Sequence, residues 1–515
     1  MRLIKAVLAL LLVAAVAILA ARMLFPLPSI KHRPVETALP PVTEGALAAM
    51  VVQGSAENPG KSGVLPIAAG HDAIASRLFL SGIAQRSIDV QYYIWHDDTS
   101  GRLLLRALYE ASRRGVRVRL LLDDNGIPGL DPTVAALDAQ PNFDIRLFNP
   151  SMIRSPKLLG YSFDFFRMNR RMHNKSFIVD GLAAIVGGRN IGDEYFKVGD
   201  GTYYLDLDVL GAGAVVQDTS KAFDLYWNSA SVFAADKIID PSSGTLEAFL
   251  QGTDEAAKRP AAADFVRPDA PAYNRLRSGG LGLEWVDVKL VVDDPVKGEG
   301  KASKNQLMIS RLAELVGPVR HGLDLVSAYF VPGRPGVEYF ASLVEGGAKV
   351  RILTNALETT DVAMVHAGYS KYRREMLDDG IELFELKPMA DAAKGEEELS
   401  LTGSSGASLH AKSFAADGDR VFIGSFNFDP RSALLNCEMG FLIGSPTMAR
   451  AMSQGFDTKV AAGSYRVSLR PDGGMQWAED EPGKAVVTFE DEPNASAVKR
   501  LMVMVFGWLP IECLL

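Results

Sequence analysis

The chain has 515 residues, a net charge of −8 and 48% hydrophobic residues. That length exceeds one ordinary core and predicts two domains or a duplicated fold. The acidic balance speaks against a dedicated nucleic-acid binder, and two cysteines, Cys437 and Cys513, exclude a disulfide framework.

In chain order, Arg2 and Lys5 precede an unbroken apolar run from Ala6 to Ala21. As a helix it spans roughly 24 Å, and extension through Met23, Leu24 and Phe25 brings it near the ~30 Å of a hydrocarbon core. Residues 1–25 therefore read as a membrane anchor or signal segment. With no clean small-x-small cleavage site, the uncleaved anchor is favoured. Residues 26–66 are rich in Pro and Gly and are expected to form an extended linker or stalk.

The body reads as duplicated. In the first half (67–250), strand-like 87–94 is followed by a helical stretch at 101–114 and a second strand at 115–122. In the second half (283–465), residues 323–330, 337–345 and 347–353 repeat that order. Strand, helix, strand with β-branched runs predicts βαβ units and a mostly parallel sheet in each half. A connecting segment (251–282) separates them. Asp89 and Asp324 hold equivalent strand positions and read as structural carboxylates. The tail (466–515) has strand-like stretches and a closing apolar run after Lys499. That run is either a packed helix or an interfacial membrane contact led by Lys499, Arg500 and Trp508.

One signature occurs twice. His173-x-Lys175-x₄-Asp180 is followed by Gly187-Gly188-Arg189-Asn190, and His410-x-Lys412-x₄-Asp417 by Gly424-Ser425-Phe426-Asn427, 237 residues further on. On a strand, His and Lys two apart share a face, so each copy presents an imidazole beside an ammonium. Asp180-Gly181 and Asp417-Gly418 read as turns, and the glycines that follow allow close backbone approach to a ligand. Lys175, Lys412, Asn190 and Asn427 can donate to the oxygens of a phosphodiester, while one neutral imidazole attacks phosphorus and a second protonates what leaves. Each imidazole needs its other nitrogen fixed. Asp206 and Glu438, acids in apolar strands, are the candidates, with Asp208 as substitute for Asp206. The cluster Arg167, Arg170, Arg171 abuts His173 and is either a headgroup contact or a solvated turn. None of the seven histidines pairs with another at the spacing of a helical metal site, and neither a metal nor another cofactor is expected.

The paired motifs resemble the phospholipase D superfamily. More narrowly, Val90–Asp98, Tyr329–Arg334, His366–Tyr369 and Leu509–Glu512 resemble a bacterial membrane branch that includes cardiolipin synthases of the C type, over roughly residues 67 to 515. The resemblance implies an α/β fold: a duplicated phospholipase D-like fold of two mixed, mostly parallel sheets with flanking helices and the active site between the halves. It makes His173 and His410 the nucleophile and acid/base pair, with Lys175, Lys412, Asn190 and Asn427 on the phosphate. It makes Asp180 and Asp417 structural residues that link the halves.

The implied activity is metal-independent phosphatidyl transfer between phospholipids through a phosphohistidine. Phosphatidylglycerol and phosphatidylethanolamine are the candidate substrates, and hydrolysis to phosphatidic acid is the alternative. A nuclease fits the acidic chain and the anchor poorly, and a non-enzymatic scaffold predicts loss of a motif His or Lys. The expected place is a bacterial inner membrane, held by one N-terminal anchor, with the body on the periplasmic side.

Overall fold

The computed structural model describes residues 2–199, 203–265, 271–388, 407–481, 483–509 and 512. Cys513 and the Pro510-Ile511 pair of the closing motif lie outside them. Helix Arg2–Leu24 comes first, and its segment Ile4–Leu24 is long and apolar enough to cross a membrane.

Two sheets form the body. The nine-stranded sheet belongs to the first half and the ten-stranded sheet to the second. At the centre of the first, Ser87–Tyr92, Arg117–Asp123 and Phe143–Phe148 run parallel. At the centre of the second, Gly322–Ser327, Lys349–Asn355 and Glu382–Leu386 do the same. Helices Thr99–Arg113 and Gly333–Glu345 make the first crossovers, as expected for parallel strands joined through a helix.

Outside these blocks every pairing in the two sheets is antiparallel, so the sheets are mixed but not mostly parallel. The signature supplies one antiparallel pair in each sheet. Ser176–Val179 turns at Asp180-Gly181 into Ala183–Gly187, and Lys412–Ala416 turns at Asp417-Gly418 into Arg420–Gly424. A tight turn can join only antiparallel neighbours. Asp180 and Asp417 sit in the left-handed region, with φ of 54° and 53°, a conformation Asp tolerates better than most residues.

The Pro/Gly-rich stretch is not a free stalk. Its last residues form strand Ser62–Ile67, paired along its length with Asp208–Gly213. Helix Ala46–Glu57 precedes it and buries Leu47, Ala48 and Val51. Upstream, Arg33 donates to the carbonyls of Asn228 and Ser229, and Glu36 accepts from Arg146 and the Trp227 indole. Prolines kept the segment from reading as regular structure, yet Pro66 is tolerated within the strand and the rest is fixed by side-chain bonds.

The boundaries between halves also shift. Glu284–Val286 joins the edge of the first sheet. Ser464–Leu469, Met475–Glu479 and Val487–Phe489 extend the second sheet into what reads as tail.

A core shared by both halves lies between the sheets. It brings Val186, Val209 and Leu121 together with Ile423, Phe441 and Leu353. Two further cores lie one in each half. Burying apolar faces on a common layer fixes the sheets against each other, and the site forms where the ends of the two signatures meet.

Candidate active site

Each half hands a short extended segment to the other. Ser408–Leu409 pairs in parallel with Tyr204–Leu205, and the His410 amide donates to the Leu205 carbonyl at 2.8 Å. On the other side Met172 bridges Cys437, and the His173 amide donates to the Cys437 carbonyl at 2.8 Å. The residue after Leu205 is Asp206 and the residue after Cys437 is Glu438. The backbone pairing therefore delivers each carboxylate to the histidine of the opposite half. His173 Nδ1 lies 2.8 Å from Glu438 Oε2, and His410 Nδ1 lies 2.5 Å from Asp206 Oδ2. Sequence names these two acids without pairing them, and the fold crosses the pairs. Asp208 takes no part. It is buried and bound to Arg77 at 2.8 Å, with Arg189 at 3.5 Å.

With Nδ1 held by a carboxylate, Nε2 of each ring is the nitrogen left to react. Lys175 Nζ donates to the His173 carbonyl at 2.7 Å, and Lys412 Nζ lies 3.0 Å from His410 Nδ1 and donates to the His410 carbonyl. Both motif histidines, both lysines and both acids are buried. They also share one field. Lys412 lowers the basicity of His173, and Lys175 that of His410. Two lysines and two imidazoles crowd the centre and lower one another, so the cluster gains from an arriving anion rather than from a cation.

The two dyads differ in where a proton rests. Burial drives His173 well below its usual range, with Lys175 and Lys412 adding to the effect. Burial pushes Glu438 up to about 7, against the pull of Lys175 and the Ser425 hydroxyl. In the second dyad burial and Lys412 lower His410 to about 4 despite Asp206. Burial would raise Asp206, but His410, Lys412 and Arg189 outweigh it and hold it at about 2. A proton added to the first pair thus goes to the carboxyl, and a proton added to the second goes to the imidazole. Lys412 is lowered by burial to about 8 and Lys175 well below the usual lysine range. An arriving phosphate monoanion would restore both as cations.

The asparagines lie beside the site in matching roles. Asn190 Oδ1 accepts from the Ile94 amide at 3.2 Å, and Asn427 Oδ1 accepts from the Tyr329 amide at 3.3 Å. The side-chain nitrogen of Asn190 donates to the Tyr195 hydroxyl. Asp180 and Asp417 stand apart from the chemistry. Asp180 accepts from the amides of Gln85, Arg86 and Ser87, and Asp417 from those of Arg320, His321 and Gly322. Each ties its turn to the central strand of its own half, so neither links the halves. Nor is the arginine cluster a free headgroup contact. Arg171 is buried on Asp123, and Arg167 is bound to Asp164 at 2.6 Å and to the Pro150 carbonyl.

Several neighbours carry no motif. Tyr93 packs edge-on to His173 at 5.0 Å, and Tyr195 and Tyr204 flank His410 at 5.1 Å each. Asp361 accepts from the Tyr329 hydroxyl at 2.8 Å. Asp293 accepts from the Glu438 amide at 2.9 Å and is bound to Lys297, fixing the strand that carries Glu438. Only the Tyr residues before and after the signatures could have hinted at these walls, because aromatic residues close to a motif are too common to single out.

Two buried imidazole–carboxylate dyads, exchanged between duplicated halves and joined by two lysines, define a dihistidine phosphodiester-processing enzyme of the phospholipase D type. A family model described as "Cardiolipin synthase, PLD-like domain" matches residues 82–227 and 312–460. Cardiolipin synthase C of Escherichia coli K12 is 44% identical over 471 residues, covering 91% of this chain and 99% of that protein. A cardiolipin synthase of Staphylococcus aureus Mu50 is 24% identical, covering 77% of this chain and 67% of its own length. Among solved structures, phosphatidylserine synthase of Haemophilus influenzae Rd KW20 shares the fold with a TM-score of 0.55 at 12% identity, covering 90% of this chain and 99% of that one. The chain belongs to the phospholipase D-like family of cardiolipin synthases.

Proposed function

We propose that this enzyme makes cardiolipin by moving a phosphatidyl group from one phospholipid to a hydroxyl of phosphatidylglycerol, with His173 as nucleophile and His410 as acid and base. The crossed dyads carry this reading. His173 is held neutral, and with its Nδ1–H donated to the Glu438 carboxylate its Nε2 keeps a lone pair for phosphorus. His410 faces an ionised Asp206, so a proton entering that dyad rests on the imidazole, and the arriving phosphate monoanion opposes the burial and the Lys412 charge that otherwise lower it.

In the first step a bond forms between His173 Nε2 and phosphorus, the bond to the headgroup oxygen breaks, and His410 gives that oxygen its proton. In the second step a hydroxyl of phosphatidylglycerol gives its proton to His410 and attacks phosphorus, and the bond to His173 breaks. Lys175 and Lys412 neutralise the non-bridging oxygens throughout, with Asn190 and Asn427 as the amide donors beside them. No step calls for a metal, because two lysines supply the charge a metal would.

The donor lipid is either a second phosphatidylglycerol or phosphatidylethanolamine. Helix Arg2–Leu24 anchors the enzyme in the bacterial inner membrane, with the body on the periplasmic side. Arg2 and Lys5 before the span support that orientation.

The test is mass spectrometry of the lipids formed by detergent-solubilised enzyme from phosphatidylglycerol, with and without phosphatidylethanolamine. Cardiolipin that disappears in His410→Ala is the expected product, and dependence on phosphatidylethanolamine names the donor. Phosphatidic acid alone would show that water is the acceptor and overturn the transferase reading.

A further inference from the structure

The anchor does not leave the body at a neutral spot. Arg22 donates to the Phe163 carbonyl at 2.9 Å and lies 3.7 Å from Asp164, and Phe25 stacks on Phe163 at 6.0 Å. The end of the span is thereby clamped to the short helix Tyr161–Met168. This helix and the turn before it, Lys157–Gly160, turn large apolar side chains outward: Leu158 is 75% exposed, Phe166 75%, and Leu159 and Phe165 are exposed too. Exposed aromatic and aliphatic side chains clustered in one short segment are unusual on a soluble surface. Five residues after Met168 comes His173, and Arg431 of the second half holds the chain between them at the Asn169 carbonyl, 3.0 Å away.

The second half carries a counterpart. Helix Ala497–Gly507 buries none of its residues and exposes Val498, Leu501, Met502 and Val505, with Trp508 80% exposed just beyond it. It is held in place rather than loose. Lys499 donates to the carbonyls of Leu357 and Glu358, Glu492 before it binds Arg373 and His366, and Glu512 after it binds Lys371 and Tyr372. The loop that Lys499 grips continues to Asp361, which binds Tyr329 and Tyr204, and Tyr204 packs on His410. One exposed apolar segment is therefore connected to each catalytic histidine.

We infer that these two segments, Leu158–Phe166 on the first half and Val498–Trp508 on the second, dip into the surface of the same bilayer that holds the anchor, seating the two histidines over lipid headgroups. The inference rests on the reading of Arg2–Leu24 as a span and of phospholipid as substrate. A bilayer is the occupant because the span itself ends on the first segment, so the membrane surface must lie against it. The second segment has the make-up of an interfacial helix, with Lys499 and Arg500 for phosphates, an aliphatic face, and Trp508 at its end. Seated this way, a headgroup reaches the histidines without its acyl chains leaving the membrane, which removes the largest cost of extracting a lipid.

The experiment uses the full chain in vesicles of phosphatidylglycerol and phosphatidylethanolamine. Phe166→Cys, Leu501→Cys and, on a charged exposed helix face, Lys221→Cys are each made with Cys513→Ser and labelled with an environment-sensitive fluorophore; the remaining Cys437 is buried. Quenching by spin-labelled acyl chains is expected at 166 and 501 and not at 221. In parallel, Phe165→Ser with Phe166→Ser, and Leu501→Ser with Val505→Ser, should each cut turnover on vesicles by about tenfold or more. Turnover of a short-chain phospholipid kept below its micelle concentration should change less than about twofold, because no interface is involved. Unquenched probes, or equal losses in both assays, would overturn the inference. So would cross-linking of two Leu501→Cys copies in place of lipid quenching, which would assign the helix to a second copy. The probe measurement needs no turnover. An enzyme that proves inactive toward both lipids would count against the proposed reaction and leave the quenching result to decide the seat.

Discussion

The two halves build the same frame and finish it differently. Asp89 grips Arg119 on the neighbouring parallel strand at 2.7 and 2.9 Å, and Arg119 reaches Asp224 and lies over Phe223. Asp324 grips Arg351 at 2.5 and 2.9 Å, and Arg351 reaches Asp457 and lies over Phe456. The turns, the amide-accepting aspartates and the asparagines match in the same way. At the reacting centre the match ends. Ser425 Oγ donates to Glu438, whereas its counterpart is Gly188, where a Cβ would collide with Asp206 Oδ1. The shorter acid thus occupies the volume that a serine side chain fills in the other half. Duplication supplies position, and the dyads part because burial keeps the proton on Glu438, against the Ser425 hydroxyl, while His410, Lys412 and Arg189 hold Asp206 ionised.

The sharpest break of that asymmetry is chemical. His173→Ala should lower turnover by about 10⁴-fold or more on any substrate, since no nucleophile remains. His410→Ala should do the same for an alkyl headgroup, which must be protonated to leave. Presented with a phosphatidyl ester of p-nitrophenol, whose leaving group needs no proton, His410→Ala should still release one equivalent of nitrophenolate and keep the phosphatidyl group on His173. Rapid mixing and mass spectrometry of the protein detect both. A burst in His173→Ala instead would reverse the two roles.

A second comparison concerns the frame, and its effect falls on stability. Asp89 is 3% exposed and Arg119 fully buried, while Arg351 shares its charge with Asp457, which is 62% exposed. Each arginine keeps a second carboxylate when the first is removed, but Asp224 beside Arg119 is only 17% exposed, so that charge stays largely away from water. Asp89→Asn should therefore cost about 3 kcal/mol. Asp324→Asn should cost about 1 kcal/mol, because Arg351 keeps a solvated partner. Denaturant unfolding of the detergent-solubilised variants measures both, and equal losses would show that the frames are energetically alike.

How much of this was legible follows from what each feature depends on. The βαβ blocks, the turns and the His/Lys/Asn sets are local patterns; the fold gathers His173, Lys175, His410 and Lys412 in one buried cluster, with Asn190 and Asn427 bonded to the Ile94 and Tyr329 amides beside it. Asp206 and Glu438 were legible as acids out of place in apolar strands. Their crossing was not, because it is set by parallel pairing of residues 204–205 with 408–409 and of Met172 with Cys437, partners more than 200 residues apart. The proline-rich stretch hides its structure for the opposite reason: local composition speaks against order, while strand Asp208–Gly213 and the Arg33 and Glu36 bonds, all distant in sequence, impose it. The arginines before His173 looked available because their partners, Asp123 among them, are invisible to a local window.

The smallest expected effect tests the dyads directly through pH. Glu438 ionises at about 7 in the fold, above the ordinary 4.5 of an unfolded chain. The folded state therefore holds this proton more tightly, and the stability so gained is complete below pH 4.5 and lost as pH rises through 7, on the order of 3 kcal/mol in all. Asp206 is displaced the other way, to about 2, so its contribution is present above pH 3.8 and lost only as pH falls toward 2. Glu438→Gln should flatten the stability profile between pH 4.5 and 7 and leave the acid limb alone. Asp206→Asn should soften the acid limb and leave the window from 4.5 to 7 as it was. Ser425→Ala makes the link to function. Without the hydroxyl that favours ionised Glu438, the proton is held to higher pH, so the stability loss shifts upward. Below that point His173 Nδ1 faces a carboxyl rather than a carboxylate, and turnover should fall by about tenfold near neutrality and recover in part on raising the pH. A Ser425→Ala enzyme whose rate loss is the same at every pH would mean that the serine merely packs, and that the difference between the dyads rests on Asp206 and Glu438 alone.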